Sequence, residues 1–305
     1  MTKKIALLLA ALMALALFVA TPAFPGTIPS SIVPESAKWV AHLDMEKFVG
    51  TELYGLLDKD GRFQIKGRDI DRWLKMDLAK DIKGVTVIGL GTDDKNIVFA
   101  VEGTLDKAGI IALAEADKDS QKTAYGAYTV YSSDSDEYGA FVNDRLLVFA
   151  EGRAALEKVL DTAGGKAKTF AGTPLSAALK EVPAGAFLSG VLPDLSALGK
   201  EIGQSKVLDQ ASGLFFLAQE KTGNLSLRLQ VTAASPESAK NMADVVQGLI
   251  AMGRLGGTES DMAKVAQMLD GLQVKLDGKT VRIDFERPSK DIAALLSEHK
   301  GIHID

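Results

Sequence analysis

Two side chains in the first third of this 305-residue chain have the spacing of an acid–base pair. His42 and Asp44 stand two apart in Trp39-Val40-Ala41-His42-Leu43-Asp44, an apolar and β-branched run that reads as a strand. Residues two apart on a strand share a face, so Asp44 could orient His42 as a general base. No G-x-S-x-G nucleophile elbow accompanies them. One strand cannot supply the third partner, and the pair reads as a hydrogen-bonded structural histidine beside a carboxylate. Asp58-Lys59-Asp60-Gly61-Arg62-Phe63 imitates the middle of a calcium loop. With Gly61 at the sharp turn, Leu56 and Gly67 fall where the first and the bidentate ligand belong. The segment therefore reads as a surface turn. Asp134, Asp136 and Glu137 form an acidic bend between strands, the usual composition of a solvated loop. His299 and His303 have helical i, i+4 spacing, but Gly301 lies between them and the chain ends two residues later. Gly89-Leu90-Gly91 lacks the third glycine of a dinucleotide loop, and Gly164-Gly165-Lys166 lacks the rest of a phosphate loop. Ser297-x-x-Lys300 has no companion motif. The residues assign no catalytic group, no cofactor and no metal, and the chain is not expected to be an enzyme.

Bulk composition narrows the setting. Lys3 and Lys4 precede an uncharged apolar run from Ile5 to Ala20, and Thr21-Pro22-Ala23 ends it with small residues and a helix breaker. That is the three-part grammar of a secretory signal peptide. The run is shorter than the roughly 20 residues of a spanning helix, so cleavage after Ala23 is expected rather than retention as an anchor. The membrane is a partner only through this segment, if it stays uncleaved. There is no cysteine, which excludes disulfides, thiolate chemistry and lipid attachment at the cleavage site. The expected location is the periplasm or the exterior. With Lys3 and Lys4 removed, the 35 basic residues fall to 33 against 40 acidic ones, a net of −7. No Lys/Arg cluster is present to neutralise phosphates, so nucleic acid is not an expected partner.

The elements that must position these residues alternate along the chain. Residues 24–33 read as a flexible lead-in, punctuated by Pro25, Gly26 and Pro29. In residues 34–165 the pattern predicts a strand over 38–44, a helix over 46–57, strands over 85–90 and 97–101, and a helix over 106–116. A strand over 122–132, a hairpin over 138–150 and a helix over 154–163 follow. In residues 166–305 it predicts strands over 186–192, 214–219 and 225–231. The third alternates Leu225, Leu227, Leu229 and Val231 with polar residues. Ser235 and Pro236 are the N-cap and first residue of a helix whose apolar face includes Met242, Val245, Val246, Leu249 and Ile250. Met242 and Met252 could line an apolar site, although core packing explains the same spacing. Another helix is expected over 262–269. Asp277-Gly278 predicts a two-residue turn that pairs Val274 with Val281 and Leu272 with Ile283. Ser289 to Glu298 closes the chain as a helix. The fold class is α+β: two tandem antiparallel-sheet units, 34–165 and 166–305, with helices packed on one face of each. The shared order and the echo of Val33-Pro34-x-x-Ala37 in Val182-Pro183-x-x-Ala186 predict an internal duplication.

Val33-Pro34-x-x-Ala37-x-Trp39-Val40-Ala41-x-Leu43-Asp44 resembles the opening of a group of exported bacterial proteins of unknown function, in which such a segment follows the signal peptide. The Phe141-Val142-Asn143-Asp144-Arg145-Leu146-Leu147-Val148 hairpin and Leu192-Pro193-Asp194 extend the resemblance over most of the mature chain. It implies an envelope protein and carries over no site residue. The expected function is a non-enzymatic binding or interaction module with a protein partner. The alternative is a periplasmic carrier of an apolar ligand held between sheet and helices.

Overall fold

Alternating apolar side chains build twelve strands among the residues described in this computed structural model, which are 28–59, 78–133, 137–195, 210–255 and 271–298. They are β1 (Trp39–Asp44), β2 (Ile82–Gly89), β3 (Ile97–Gly103), β4 (Gln121–Tyr125), β5 (Tyr128–Ser132), β6 (Tyr138–Asn143), β7 (Leu146–Ala150), β8 (Ala186–Leu192), β9 (Ala211–Lys221), β10 (Asn224–Ala233), β11 (Leu272–Asp277) and β12 (Thr280–Pro288). All join one antiparallel sheet in the order β11-β12-β10-β9-β8-β1-β2-β3-β7-β6-β5-β4. The α+β class stands, and the two halves meet edge to edge. At the seam between β1 and β8, Val40 faces Val191 and Leu43 faces Leu188. Outward from it the strands run β1, β2, β3, β7, β6, β5, β4 on one side and β8, β9, β10, β12, β11 on the other, so the two sides match over five strands and β5 and β4 have no counterpart.

The helices are α1 (Met45–Val49), α2 (Glu52–Lys59), α3 (Leu78–Asp81), α4 (Lys107–Ala116), α5 (Arg153–Ala163), α6 (Pro174–Leu179), α7 (Pro236–Leu255) and α8 (Ser289–Glu298). On the front of the sheet, Leu43, Leu188, Ala218 and Leu225 pack beneath Phe48 of α1, Leu53 and Leu57 of α2, and Ile292 of α8. Farther out, Val231, Val274, Val281 and Ile283 pack beneath Ala239, Met242 and Ala243 of α7. On the back, Val98, Ala100 and Val148 lie beneath Leu156, Val159 and Leu160 of α5, in one cluster with Leu175 of α6. Most of the described helices thus lie on the front, while α5 and α6 add a layer behind, so helices cover both faces rather than the one expected. The second layer is required because β8 is buried along its whole length, and a strand apolar on both sides must be covered on both. Each fully buried Leu, Val or Phe contributes about 1.5–3 kcal/mol.

Four local expectations change. Ile32 and Val33 are not lead-in; both are fully buried in the back cluster, and the Val33 carbonyl accepts the Phe170 N–H at 2.9 Å. The helix over 46–57 breaks at Gly50. Thr51 restarts it by accepting the Tyr54 N–H at 3.1 Å, and its hydroxyl closes on the Phe48 carbonyl. The strand over 122–132 is a hairpin, β4 and β5, folded at Gly126, whose φ of 60° suits glycine. In the terminal hairpin the loop is Gly278-Lys279, not Asp277-Gly278. The positive φ of 55° falls on the first loop residue, so Asp277 stays in the strand opposite Thr280. Val274 therefore faces Ile283 and Leu272 faces Phe285. The shift is by two residues, which keeps every apolar side chain on its expected face.

Candidate functional site

Strand β1 places His42 and Asp44 on one face of the sheet, as expected, and that face is the back. His42 is 6% exposed and Asp44 1%. His42 Nδ1 and Thr86 Oγ1, on the neighbouring β2, are 2.8 Å apart and hydrogen-bonded. Ser189 of β8 stands opposite His42 on the other side. The carboxylate of Asp44 is committed to α1, accepting the Lys47 N–H at 3.0 Å and pairing with Lys47 Nζ at 2.7 Å. Asp44 is thus the helix N-cap. The nearby Glu46 pairs with Lys83 at 3.1 Å. Burial pushes the Glu102 carboxyl above its usual range; Arg145 opposes the shift and Glu46 adds to it. Strand alternation signalled the His–Asp face, but nothing local signalled Thr86, Ser189, Lys83 or Glu102.

The other candidates scatter. Asp58 is exposed near the end of α2. Asp60, Asp134, Asp136, His299, His303, the signal segment and the helix expected over 262–269 lie outside the described residues. Gly164 ends α5, and Lys166 lies over the Tyr125 ring at 5.4 Å. Met242 is buried under α7, and Met252 is 70% exposed. Among the described residues, no three His, Asp or Glu side chains gather as a metal ion would need, and no helix is long and apolar enough to cross a membrane.

What the structure gathers instead is an apolar strip across the front. Following the register from strand to strand gives Val274, Ile283, Leu229, Phe216, Gly190, Ala41, Val87, Phe99, Phe149, Gly139 and Tyr131 in one row. Two glycines make its centre flat. A Cβ on Gly89 would lie 2.0 Å from the Trp39 indole, and one on Gly190 would lie 2.2 Å from the Phe216 ring. Both rings rest on bare backbone, and Trp39 Nε1 donates to the Gly91 carbonyl at 3.1 Å. Farther along, Phe99 and Phe149 stack at 5.2 Å with planes 10° apart, and Phe149 is 40% exposed. Helix α4 overlooks this half of the sheet. Its Ile110 reaches the cluster containing Leu43 and Val101, yet no residue of α4 is buried. Ion pairs hold both its ends: Lys107 to Asp144 in the β6–β7 turn at 2.8 Å, and Glu115 to Lys122 of β4 at 2.7 Å.

The fold resembles that of TP0453. One crystal form of that protein matches with a TM-score of 0.55 at 9% identity, covering 90% of this chain and 99% of that one. A second form matches with a TM-score of 0.51 at 10% identity, covering 90% and 98%. At this identity the likeness is one of architecture alone. No family model matches the sequence, and no curated protein matches it.

Behind β10 and β12 the sheet is polar. Asp284 accepts from Arg228 and Arg282, both at 2.9 Å, with Lys275 Nζ 3.6 Å away. Burial pushes its carboxyl upward, but the two guanidinium groups outweigh it and hold the pKa below the usual carboxylate value. A depressed folded-state pKa stabilises above the unfolded value and is lost as pH falls through the folded one. Asp284→Asn is expected to cost on the order of 1 kcal/mol at pH 7, after solvent screening. The deficit should shrink in urea titrations as pH falls below about 4; a deficit constant with pH would refute this account.

Proposed function

We propose that the protein is a non-enzymatic binding module of the cell envelope, with the front aromatic strip as its contact surface. The observation that supports this is the Phe99–Phe149 stack, left partly in solvent beside the Trp39 and Phe216 rings. Contiguous exposed apolar area on a folded chain marks an interaction site. Aromatic side chains offer large contact area at low conformational cost. The envelope setting rests on the signal segment at residues 1–23. The strand order on either side of the β1–β8 seam supports an internal duplication. Helices α4 and α7 each follow the third strand from the seam on the front; α5 and α8, which follow β7 and β12, take opposite faces.

Helix α4 favours a second reading, a carrier of an apolar ligand between sheet and helix. Ile110, Ile111 and Leu113 lie on a helix with no buried residue, fastened over an apolar sheet by ionic ends. Such a helix can shift over a ligand without losing a packed core. The two readings separate in one experiment. Trp39 and Trp73 are the only tryptophans, so Trp73→Phe leaves Trp39 as the sole reporter on the strip. A brominated long-chain fatty acid should quench that emission saturably if the strip holds apolar ligands, and Phe149→Lys should weaken the binding roughly tenfold. If there is no quenching but a photo-crosslinker at position 149 joins a discrete protein in cells, the first reading holds. If neither occurs, both fail.

A further inference from the structure

Among the described residues the sheet ends in a strand paired on one side only, and its residues fit a second copy of themselves. Strand β11 pairs with β12 on one side, and it is the last strand in the sheet order. Gln273, Lys275, Leu276 and Asp277 are exposed, Leu276 by 47%. The Gly271 carbonyl accepts the Glu286 N–H at 3.2 Å. In an antiparallel ladder bonded residues alternate, so Gly271, Gln273, Lys275 and Asp277 direct their backbone groups to β12. Leu272, Val274 and Leu276 direct theirs to the open edge.

We propose that two copies of this protein associate through β11, antiparallel about a two-fold axis at Val274, and continue the sheet from one chain into the next. In this register Leu272 faces the second copy's Leu276 and Val274 faces its own equivalent, each pair bonded through outward-pointing backbone groups. Gln273 faces the second copy's Lys275 on the polar side. Sliding by two residues in one direction sets Lys275 against Lys275, a like-charge pair. Sliding the other way leaves Leu276 beyond the paired strand. Asp284 lies 3.6 Å from the Lys275 ammonium group but is already shared by Arg228 and Arg282, so Lys275 brings its positive charge to the contact. Exposed edge strands are often guarded by a lysine; here the apolar–polar alternation makes the edge self-complementary, and the register keeps the two lysines apart. An isologous pair of this kind closes on itself and leaves the opposite edge, β4, untouched.

Position 273 tests both the contact and its register. It is exposed, so neither variant disturbs the core. Gln273→Glu places a carboxylate opposite Lys275 twice per dimer and should tighten association about tenfold in sedimentation equilibrium. Gln273→Lys should weaken it by a similar factor. In the register slipped toward Lys275, Gln273 would face Asp277, and the two effects would exchange signs. A chain monomeric at all concentrations up to the millimolar range overturns the proposal. So does a dimer indifferent to position 273, or one whose responses are reversed.

Discussion

Replacing Glu220 by alanine is expected to lower the unfolding free energy by about 3 kcal/mol. This carboxylate, at the end of β9, accepts the N–H of Glu52 at 2.6 Å and that of Leu53 at 2.9 Å. Those are orphan donors of the first turn of α2, where a negative charge also meets the positive end of the helix dipole. Its second oxygen also accepts the Ser289 hydroxyl at 2.5 Å, at the start of α8. The Ser289 N–H in turn donates to the Gly223 carbonyl at 2.8 Å, in the turn that follows β9. One side chain from the second half of the chain therefore seats a helix from the first half and one of its own. Alanine removes both at once and leaves two N–H groups without their acceptor. Glu220→Gln keeps one acceptor oxygen without the charge and should cost about half as much. Urea unfolding should show a lower midpoint with an unchanged slope; a change below about 0.5 kcal/mol would show that other groups cap α2.

The same residue marks where the sequence becomes illegible. Ser235 and Pro236 announced α7 locally, and Ser235 Oγ does accept the Ser238 N–H at 3.0 Å. The hairpin at Asn143-Asp144 and the alternation of β10 were equally local, because turn chemistry and a period of two need only neighbouring residues. Glu220 caps a helix 168 positions away, and no spacing rule reaches that far. The seam between β1 and β8 is also non-local. The strands were readable, but their adjacency follows from which apolar faces the rest of the chain leaves open. The strip was hidden for a related reason. Trp39, Phe99, Phe149 and Phe216 come from four strands and share a face only once the register of every intervening strand is set. The His42–Asp44 face was visible in advance because it needs one strand. Its partner Thr86 was not, because it needs two.

Gly89 and Gly190 give the strip its shape, and filling either should cost about 2–3 kcal/mol. In Gly89→Ala the methyl group falls 2.0 Å from the Trp39 ring, so the indole must lift from the sheet and release the Gly91 carbonyl. In Gly190→Ala the methyl group falls 2.2 Å from Phe216. Gly139, in the same row, is the internal control. A Cβ there meets nothing closer than 3.8 Å, so Gly139→Ala should stay within about 0.5 kcal/mol of the parent. Steric origin predicts a coupling. In Phe216→Ala the ring is gone, and adding Gly190→Ala should then cost almost nothing, a non-additivity of about 2 kcal/mol. Additive costs would mean that the glycine serves the backbone of β8 rather than the ring above it. The expected coupling would mean that the sheet leaves out side chains to seat aromatic rings flat on its backbone. That arrangement keeps the strip low and broad, so that Ala41 and Val87 are buried by neighbouring rings while Phe149 and Leu229 remain in solvent at its margins.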